Sequence, residues 1–437
     1  MLIDPSAPSH VHLQDLPEPS YRGSVQTLYP VPDHPAWLMC QTTEAGSVFD
    51  VGSIFKIDGS DLNRAVFRHA MYTRLATPST WQAVKVRIES DRELPSDWKK
   101  DLLTGPLDHM IEVGAKTHHL GMVDASTGDV LTSDLPTVPS AFNIVRRFPV
   151  LTPPLRTVLG NHVFDYAQFH QSDTYVIPLE YIVRFGITSG SSIWKTYQSM
   201  SESERRGYET ELDLSGPMEP WRMLPKPIFD LTSKYEPQDR NVTKQEALLM
   251  SGLSAETFGN TIKMALLGAW AVRERMEAIG LQLWDLKWEF AVDHDSLLFV
   301  DTIDSDSFRA TGTMEVDGRS LVIHYNKQAM RDYYKILHPE WFAGINRAKT
   351  DSRNEGRPFK EFLHEGQAAG IYPATPEVET DFLAIQSRKS TLIRDHITDS
   401  ADAETVRSGL EELGREEIAF YQRHQRLNEL LELNAID

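Results

Sequence analysis

The chain has 437 residues, of which 41% are hydrophobic and 24% are charged, a globular composition long enough for two or three domains. It carries 44 Lys and Arg residues against 63 Asp and Glu residues. The resulting net charge of −19 argues against non-specific binding to nucleic acid or to an anionic membrane surface. A small anionic ligand remains compatible with this charge, because a local basic pocket can lie in an acidic protein.

The N-terminal residues and the single cysteine bear on the compartment. Residues 1–20 contain four prolines and lack the basic and apolar segments of a secretory signal, so we predict a flexible arm there. Cys40, in the stretch WLMCQTT, is interpreted as a small buried side chain rather than a nucleophile. One cysteine forms no disulfide within the chain, and no apolar run approaches the about 20 residues of a membrane span. A cytoplasmic protein without membrane or nucleic-acid partners is expected.

The first folded region is predicted to be an N-terminal lobe over residues 21–177. The stretches YRGSVQTLYPV, AWLMCQTT and SVFDVGSIFKI have the composition of strands. The following DLNRAVFRHAMYTRLA has apolar residues at helical spacing, with Asp61 as its predicted N-terminal cap. Residues near 78–175 contain proline clusters and no clear period, and we interpret them as an insertion in this lobe.

A clearer pattern begins at Tyr175. YVIPLEYIVRF predicts a strand, and the polar GITSGSS that follows it predicts a turn. TKQE, from Thr243 to Glu246, fits a capping box before helical sequence. A long helix is predicted from Ala255 to Ile279, with Gly280 as its C-terminal stop.

The next stretch, LWDLKWEF, alternates apolar and charged residues. With the period of two of a strand, its apolar face comprises Trp284, Leu286, Trp288 and Phe290, and its charged face comprises Asp285, Lys287 and Glu289. A short turn and the run LLFVDTI follow, which predicts a β-hairpin. We expect the aromatic face to pack against the long helix that precedes it.

The charged face of this hairpin has two interpretations. It can lie beside Asp301 of the returning strand, and two carboxylates with a lysine suit a Mg²⁺–nucleotide site. An antiparallel hairpin with one solvated face is the alternative, and the strand alone favours it. Glu180 and Arg184, before the Gly/Ser turn, are similarly either part of a phosphate cradle or an ordinary strand and turn.

Seven segments together resemble one family in order along residues 21–335. They are YRGSVQTLY, GSVFD, PLEYIVRFGITSGS, LPKPIFDLTSKYEPQDRNVT, WDLKWEF, VDTIDSDSFR and YNKQAMRDYY. Their order resembles the SAICAR synthetases, the phosphoribosylaminoimidazole-succinocarboxamide synthases of purine biosynthesis.

The resemblance implies an α+β fold with two lobes and a nucleotide cleft between them, similar to ATP-grasp or kinase-like clefts. The second lobe, for nucleotide and substrate, would span residues 178–338. Residues 339–437, rich in charged helical sequence, would form a C-terminal extension that docks on the body or makes a homo-oligomer contact.

The resemblance also implies a ligase activity with ATP and Mg²⁺. A carboxylate would take the γ-phosphoryl group of ATP, and an amine such as that of aspartate would attack the acyl phosphate. The carboxylate would belong to a ribotide-like small molecule.

Site residues follow from the matched positions. Lys287, Glu289 and Asp301 would be catalytic, with Glu289 and Asp301 binding the metal. Nucleotide-binding positions would be Ser24, Gln26, Lys234 and Lys287. Substrate-binding residues would be Asp50, Glu180, Arg184, Ser191, Asp306 and Arg309, with the arginines and Ser191 at the 5′-phosphate.

The chain departs from the family where ATP is expected. Ser24 and Gln26 stand where the family has basic residues, and losing two charge-assisted phosphate contacts of about 1.5–3 kcal/mol each would weaken ATP binding. Arg22 is either a substitute cation or a solvent-facing strand residue. A divergent paralogue of specialised nucleotide metabolism, or a ribotide-binding pseudoenzyme, is therefore the alternative to a housekeeping ligase.

Overall fold

The computed structural model describes residues 8–92, 94–236 and 239–436, so the first seven residues of the predicted arm lie outside it. The strands are β1 (Tyr21–Arg22), β2 (Gln26–Val31), β3 (His34–Thr42), β4 (Ala45–Ser47), β5 (Ser53–Lys56), β6 (His119–Asp124), β7 (Val130–Leu131), β8 (Pro139–Arg146), β9 (Leu155–Val158), β10 (Asn161–Phe164), β11 (Thr174–Val176), β12 (Leu179–Ile187), β13 (Arg222–Ser233), β14 (Asn241–Val242), β15 (Gln282–Asp293), β16 (Ser296–Val300), β17 (Phe308–Val316), β18 (Arg319–His324) and β19 (Ala435–Ile436).

The helices are α1 (Ser60–Leu75), α2 (Pro78–Ser90), α3 (Ser96–Leu102), α4 (Pro106–Val113), α5 (Ser192–Ser199), α6 (Glu202–Glu211), α7 (Lys244–Ser251), α8 (Ala255–Ala278), α9 (Gln328–Leu337), α10 (Pro339–Asn354), α11 (Phe359–Ala368), α12 (Thr380–Ile397), α13 (Ala403–Arg423) and α14 (Leu427–Asn434), with a 3₁₀ helix at Ala167–Gln171. The predicted α+β fold is confirmed. None of the helices in the described ranges is long and apolar enough to cross a membrane.

Two large antiparallel sheets organise the molecule. The first has the order β1-β2-β3-β8-β6-β7, and α1 packs against its inner strands. The second has the order β14-β13-β12-β15-β17-β18-β19, with β11 and β16 also pairing β15. Strand β15 is thus central, and its partners on both sides bring distant segments beside its charged residues.

The predicted long helix and hairpin are both confirmed. Helix α8 spans Ala255–Ala278, and Gly280 follows it with a φ of 76°, the left-handed conformation typical of a helix end. β15 and β16 pair antiparallel from Glu289–Val300 to Asp293–Ser296. A Cβ on Gly268 of α8 would lie 3.0 Å from both Trp288 and Phe299, so the helix approaches the hairpin closely at this glycine.

The prediction that Trp284 shares the apolar face of Leu286, Trp288 and Phe290 is wrong. Leu286, Trp288 and Phe290 join the main core, but the register of β15 against β17 shifts between Leu283 and Asp285. Trp284 instead packs on Trp221, with ring centroids 5.5 Å apart, and donates its indole N–H to Thr311 at 2.7 Å. A β-bulge adds a residue to one strand, so the alternation of period two fails across it.

Two predicted helix caps also need correction. α1 begins at Ser60 after Gly59, and Asp61 lies inside its first turn, where its carboxylate accepts the Leu62 N–H at 2.7 Å. Thr243 does cap α7, since its hydroxyl accepts the Glu246 N–H at 3.1 Å. The Glu246 carboxylate pairs with Arg240 at 2.6 Å, so the second half of the predicted capping box is replaced by an ion pair.

The stretch predicted as an insertion contributes to both halves of the molecule. Helices α2 and α4 pack against α8, and β6 and β8 are inner strands of the first sheet. Val11, from the predicted N-terminal arm, is buried in a hydrophobic cluster formed with strands of that sheet. The domain boundaries drawn from the sequence remain predictions.

The C-terminal helices pack on the body. α12 lies against α1 and α13, and β19 pairs with β18 at the edge of the second sheet. Lys389 of α12 donates to Glu417 of α13 at 2.6 Å and to the His324 carbonyl at 2.8 Å. The side chains of Lys389 and Glu417 are only 2% and 4% exposed, so this ion pair is fully inside the structure.

A buried histidine pair joins α1 to the first sheet. The His69 ring contacts the His119 ring at 2.9 Å between Nδ1 and Nε2, and its other nitrogen lies 3.1 Å from the Asp134 carbonyl oxygen. Burial lowers the pKa of His69 to about 4, and burial lowers the pKa of His118 to about 4 as well. The rings of His69 and His118 are therefore both neutral at pH 7.

The histidines predict a loss of stability in acid. Because the folded pKa of His69 lies below its unfolded value of 6.5, its contribution is present above pH 6.5 and is lost as pH falls toward about 4. A shift of this size corresponds to roughly 3 kcal/mol. We expect the unfolding free energy of a His69→Gln variant to fall less between pH 7 and pH 4.5 than that of the unaltered protein, measured by urea unfolding. Parallel pH profiles for the two proteins would contradict this assignment.

Candidate active site

The charged face of β15 lies in a network of carboxylates and lysines. Lys287 Nζ contacts Glu289 at 2.7 Å, Glu180 of β12 at 2.8 Å and Asp301 at 3.4 Å. Lys234, which follows β13, also pairs with Glu289 and lies 3.9 Å from Glu180. Strands β12 and β15 and the residues just after β13 and β16 thus bring these five predicted site residues together.

Pairing and burial set the charges of this network. Burial and the negative charge of Asp301 raise the pKa of Glu289 to about 7, against the opposing charges of Lys287 and Lys234. For Asp301, burial is outweighed by the charges of Lys287 and Lys234, which hold its pKa well below its ordinary value. Burial is likewise outweighed at Lys287, whose pKa is raised well above its ordinary value by Glu289, Asp301 and Glu180. At pH 7 the network therefore holds two lysine cations, ionised Asp301 and Glu180, and a Glu289 that is partly protonated.

The carboxylates fit a hard divalent cation. Mg²⁺ commonly takes one or two protein carboxylates and completes its shell with phosphate oxygens and water. Glu289 and Asp301 both contact Lys287, at 2.7 and 3.4 Å, so their carboxylates lie near one another. In the part of the chain that the structure describes, no group of three or more His, Cys, Asp or Glu residues forms a complete metal site. A metal at this position would therefore need ligands from a bound substrate.

A cavity of about 390 Å³ opens from this network toward the first sheet. Its polar wall includes Arg68, Lys234, Glu289, Asp301 and Thr302, and its apolar wall includes Leu28, Leu38, Val145, Phe148 and Val176. A cavity with one charged end and one apolar end has the chemistry that a nucleotide requires. Its volume and lining fit one small molecule held between the two sheets.

The hairpin of β1 and β2 carries two predicted nucleotide-binding residues, Ser24 and Gln26, which bring no charge to this cavity. Ser24 and Gln26 are both in its wall. The Gln26 Oε1 atom accepts a hydrogen bond from the Cys40 thiol at 2.6 Å. Burial raises the pKa of Cys40 to about 11, so the thiol is protonated, as expected of a buried side chain rather than a nucleophile. Arg22 is exposed and is not among the described residues that line the cavity.

The predicted phosphate-binding residues form a second cluster on the same face of β12 and β15, farther along the two strands. Arg184 is buried and donates to Asp230 at 2.6 Å, to Asp285 at 2.9 Å and to Ser192 at 3.0 Å. Arg309 shares Asp285 at 2.5 Å, with its side chain 21% exposed. Arg184 is thus held by the protein, whereas Arg309 also reaches solvent.

Ser191 begins the helix beside these arginines. Its hydroxyl donates to the Thr188 carbonyl at 2.9 Å and accepts the Trp194 N–H at 3.3 Å, which caps α5. The remaining predicted substrate residues are ion-paired elsewhere: Asp50 with Lys349 at 2.8 Å and Asp306 with Arg64 at 2.7 Å. The roles assigned to these residues remain predictions.

Further cations near Arg309 were not assigned roles from the sequence. Burial lowers the pKa of Lys195, helped by the neighbouring charges of Lys335, Arg309, Arg331 and Lys349. No hydrogen bond or ion pair of the Lys195 side chain occurs among the described residues. In a protein of net charge −19, these cations make a local region of positive charge. The sequence signal was present, since Lys195 follows the Gly/Ser turn and Arg331 lies in the quoted YNKQAMRDYY.

Arg68 was also missed. It lies in α1 between Arg64 and Tyr72, at intervals of four that place all three on one face of the helix. Two arginines on a mainly buried face of a helix were the signal available in the sequence. Both pair with aspartates of the segment after Asp301: Arg64 with Asp306, and Arg68 with Asp304 at 2.5 Å.

A family model and several curated proteins match parts of this chain. A family model described as SAICAR synthetase matches residues 152–347. A putative phosphoribosylaminoimidazole-succinocarboxamide synthase of Archaeoglobus fulgidus is 28% identical over 242 residues, which cover 54% of this chain and 65% of the relative. The phosphoribosylaminoimidazole-succinocarboxamide synthase of Thermoplasma volcanium is 31% identical over 169 residues, which cover 38% of this chain and 54% of the relative. The chain thus spans about half to two thirds of the length of these curated relatives.

Among solved structures, the SAICAR synthase from Saccharomyces cerevisiae complexed with SAICAR matches with a TM-score of 0.48 at 17% identity. The match covers 90% of this chain and 98% of the yeast chain.

Proposed function

We propose that this chain, which belongs to the SAICAR synthetase family, is an ATP-dependent carboxylate–amine ligase. The observation that carries the proposal is the network of Lys287, Glu289, Asp301, Lys234 and Glu180, of which Lys234, Glu289 and Asp301 line the cavity. Phosphoryl transfer needs positive charge beside the transferred group and close placement of two substrates. This network and the cavity beside it offer both.

The proposed reaction has two steps. An oxygen of the substrate carboxylate attacks the γ-phosphorus of ATP, the bond to the β-phosphate oxygen breaks, and ADP leaves. The amine nitrogen then attacks the acyl carbon, phosphate leaves, and the nitrogen loses a proton to give the amide. Lys287 would neutralise the charge that develops on the carboxylate and the γ-phosphoryl group.

Mg²⁺, held by Glu289 and Asp301, would supply further charge neutralisation at the phosphates. The ligands of a metal must be ionised. Binding of Mg²⁺ would therefore displace the proton that Glu289, with a pKa of about 7, partly retains at neutral pH.

The cation cluster is the proposed site of the substrate anion. Arg309 and Arg331 act on the charge of Lys195, and together the three cations would neutralise a ribotide 5′-phosphate. Arg184 already donates to Asp285 and Ser192, so it would act there mainly by holding these two side chains in place. The substrate class that fits is a small carboxylate bearing a phosphate, with aspartate or another amino acid as the amine.

Release of ADP tests this proposal. Purified protein would be incubated with Mg-ATP, a carboxylated aminoimidazole ribotide and each of a panel of amino acids, in a coupled assay for ADP. We expect ADP release that needs all three substrates and stops when EDTA removes the divalent cation. No ADP release with any member of the panel would count against a ligase.

A second candidate function is a pseudoenzyme that binds the ribotide without using ATP. The observation that favours it is the uncharged hairpin, in which the Gln26 side chain is held by Cys40. Calorimetry distinguishes the two, because a pseudoenzyme would bind the ribotide and give no heat with Mg-ATP. Tight binding of Mg-ATP would exclude it.

Association through the C-terminal helices also remains a proposal. These helices cover the core of the body, so deleting them would disturb the fold as well as any oligomer. Light scattering of the full chain is the direct test, and a monomer at all concentrations would contradict self-association.

A further inference from the structure

The cavity wall nearest the first sheet poses a charge problem for a nucleotide. Ser24 and Gln26 of the hairpin carry no charge, and Gln26 is engaged by the Cys40 thiol. Among the other cations of the cavity wall, Lys234 and Arg146 are already paired with carboxylates, and Arg147 is exposed just after β8. Phosphate oxygens at the hairpin end would need a cation from another element.

Arg68 reaches this wall from α1. It lines the cavity together with Ser24, Gln26, Cys40 and Asp301. Its proximity to this group is also seen in its charge, which acts to lower the pKa of both Cys40 and Asp301. Arg68 therefore lines the same cavity as the hairpin and Asp301, one of the proposed metal ligands.

The contacts of Arg68 fix its orientation and leave donors free. Its Nε and one terminal nitrogen contact Asp304 at 2.6 and 2.5 Å, and the other terminal nitrogen donates to the Thr42 hydroxyl at 3.0 Å. A guanidinium has five N–H groups, and three of them are used in this way. Two remain for a ligand in the cavity, on a side chain whose position is fixed on both edges.

Resting on the proposed function, we propose that Arg68 binds the phosphate oxygens of the nucleotide, supplying from α1 the positive charge that the hairpin lacks. Arginine suits this place because its planar group can hold a carboxylate along one edge and a phosphate along another. Asp304 is then a positioning residue, since it orients the guanidinium without touching the ligand. The alternative is a purely structural ion pair between α1 and the segment after Asp301.

Variants that remove both charges separate these two roles. Arg68→Met alone would leave the Asp304 carboxylate buried and unpaired, so it is combined with Asp304→Asn. The critical third change is Gln26→Lys, which returns a cation to the hairpin. The matched control is Arg74→Met with Asp399→Asn, an ion pair at the end of the same helix whose residues do not line the cavity in the described structure.

The readout is the Kd for Mg-ATP by calorimetry, with urea unfolding of each variant. We expect Arg68→Met/Asp304→Asn to weaken binding by at least about 10-fold, as for one charge-assisted hydrogen bond, and Gln26→Lys to recover most of it. The control pair should stay within about 2-fold of the unaltered protein. Unchanged affinity, or a loss that Gln26→Lys does not recover, would overturn the role of Arg68. Absence of Mg-ATP binding by the unaltered protein would overturn the ligase proposal and this inference together.

Discussion

Replacing Lys287 with Met is expected to lower the rate of ADP release by about 10³-fold, the upper range for loss of one group that stabilises developing charge. Lys287 is the cation shared by Glu180, Glu289 and Asp301, so its loss would leave three carboxylates with less neutralising charge beside the proposed phosphoryl-transfer site. The measurement is kcat and KM for ATP in the coupled assay.

Two variants control this experiment. Lys116→Met removes an exposed lysine that contacts Ser296, away from the cavity, and should leave kcat unchanged. Lys287→Arg keeps the charge with a different shape and should retain more activity than Lys287→Met. A Lys287→Met enzyme with nearly normal kcat would remove Lys287 from the proposed mechanism, whatever its effect on KM.

Replacing Lys389 with Met is expected to lower the free energy of unfolding by about 3–5 kcal/mol, the usual cost of breaking a buried ion pair from one side. Lys389 pairs with Glu417, which also accepts a hydrogen bond from Gln386 at 2.8 Å. Burial lowers the pKa of Lys389 despite the charge of Glu417. Without the lysine, the glutamate remains inside the structure with one neutral donor. The measurement is urea unfolding.

The chain offers a matched control at the adjacent residue. Arg388 pairs with Glu416 on the same two helices, but these side chains are 55% and 37% exposed. Arg388→Met should cost at most about 1 kcal/mol, as exposed ion pairs do. Adding Glu417→Gln to Lys389→Met should return part of the lost stability. Equal effects at positions 388 and 389 would show that burial does not determine the worth of the Lys389 pair.

Periodicity predicted the parts of the fold that obey it. Helix α8 and the hairpin of β15 and β16 follow from apolar spacing and from Gly280. Trp284 was misplaced because a bulge leaves no mark in the residue pattern and reverses the face of every residue beyond it. The stretch near 78–175 was not resolved because its short elements belong to separate parts of the structure, and their partners are far away in sequence.

The site could be predicted where one strand carries it. Lys287 and Glu289 lie on β15, and the hairpin brings Asp301 beside them. The spacing of residues does not show which charges are already paired, so the engagement of Arg184 by Asp230 and Asp285 was not foreseen. Arg68 was missed for a similar reason, since its place in the cavity depends on how α1 crosses the first sheet.

The two ion pairs from α1 bear on how a ligand enters. Arg64 and Arg68, one helical turn apart, hold Asp306 and Asp304, so a helix of the first sheet is fastened at two points to the segment that follows β16. Separating the two sheets as rigid bodies would break both ion pairs at once and leave four charged side chains without their partners. Ligand entry by a hinge motion of whole lobes would therefore cost the free energy of both ion pairs. By contrast, β1 and β2 lie at the edge of the first sheet, where β2 pairs with β3. We expect this hairpin to act as the gate of the cavity, and its amides to exchange with solvent deuterium faster than those of α1.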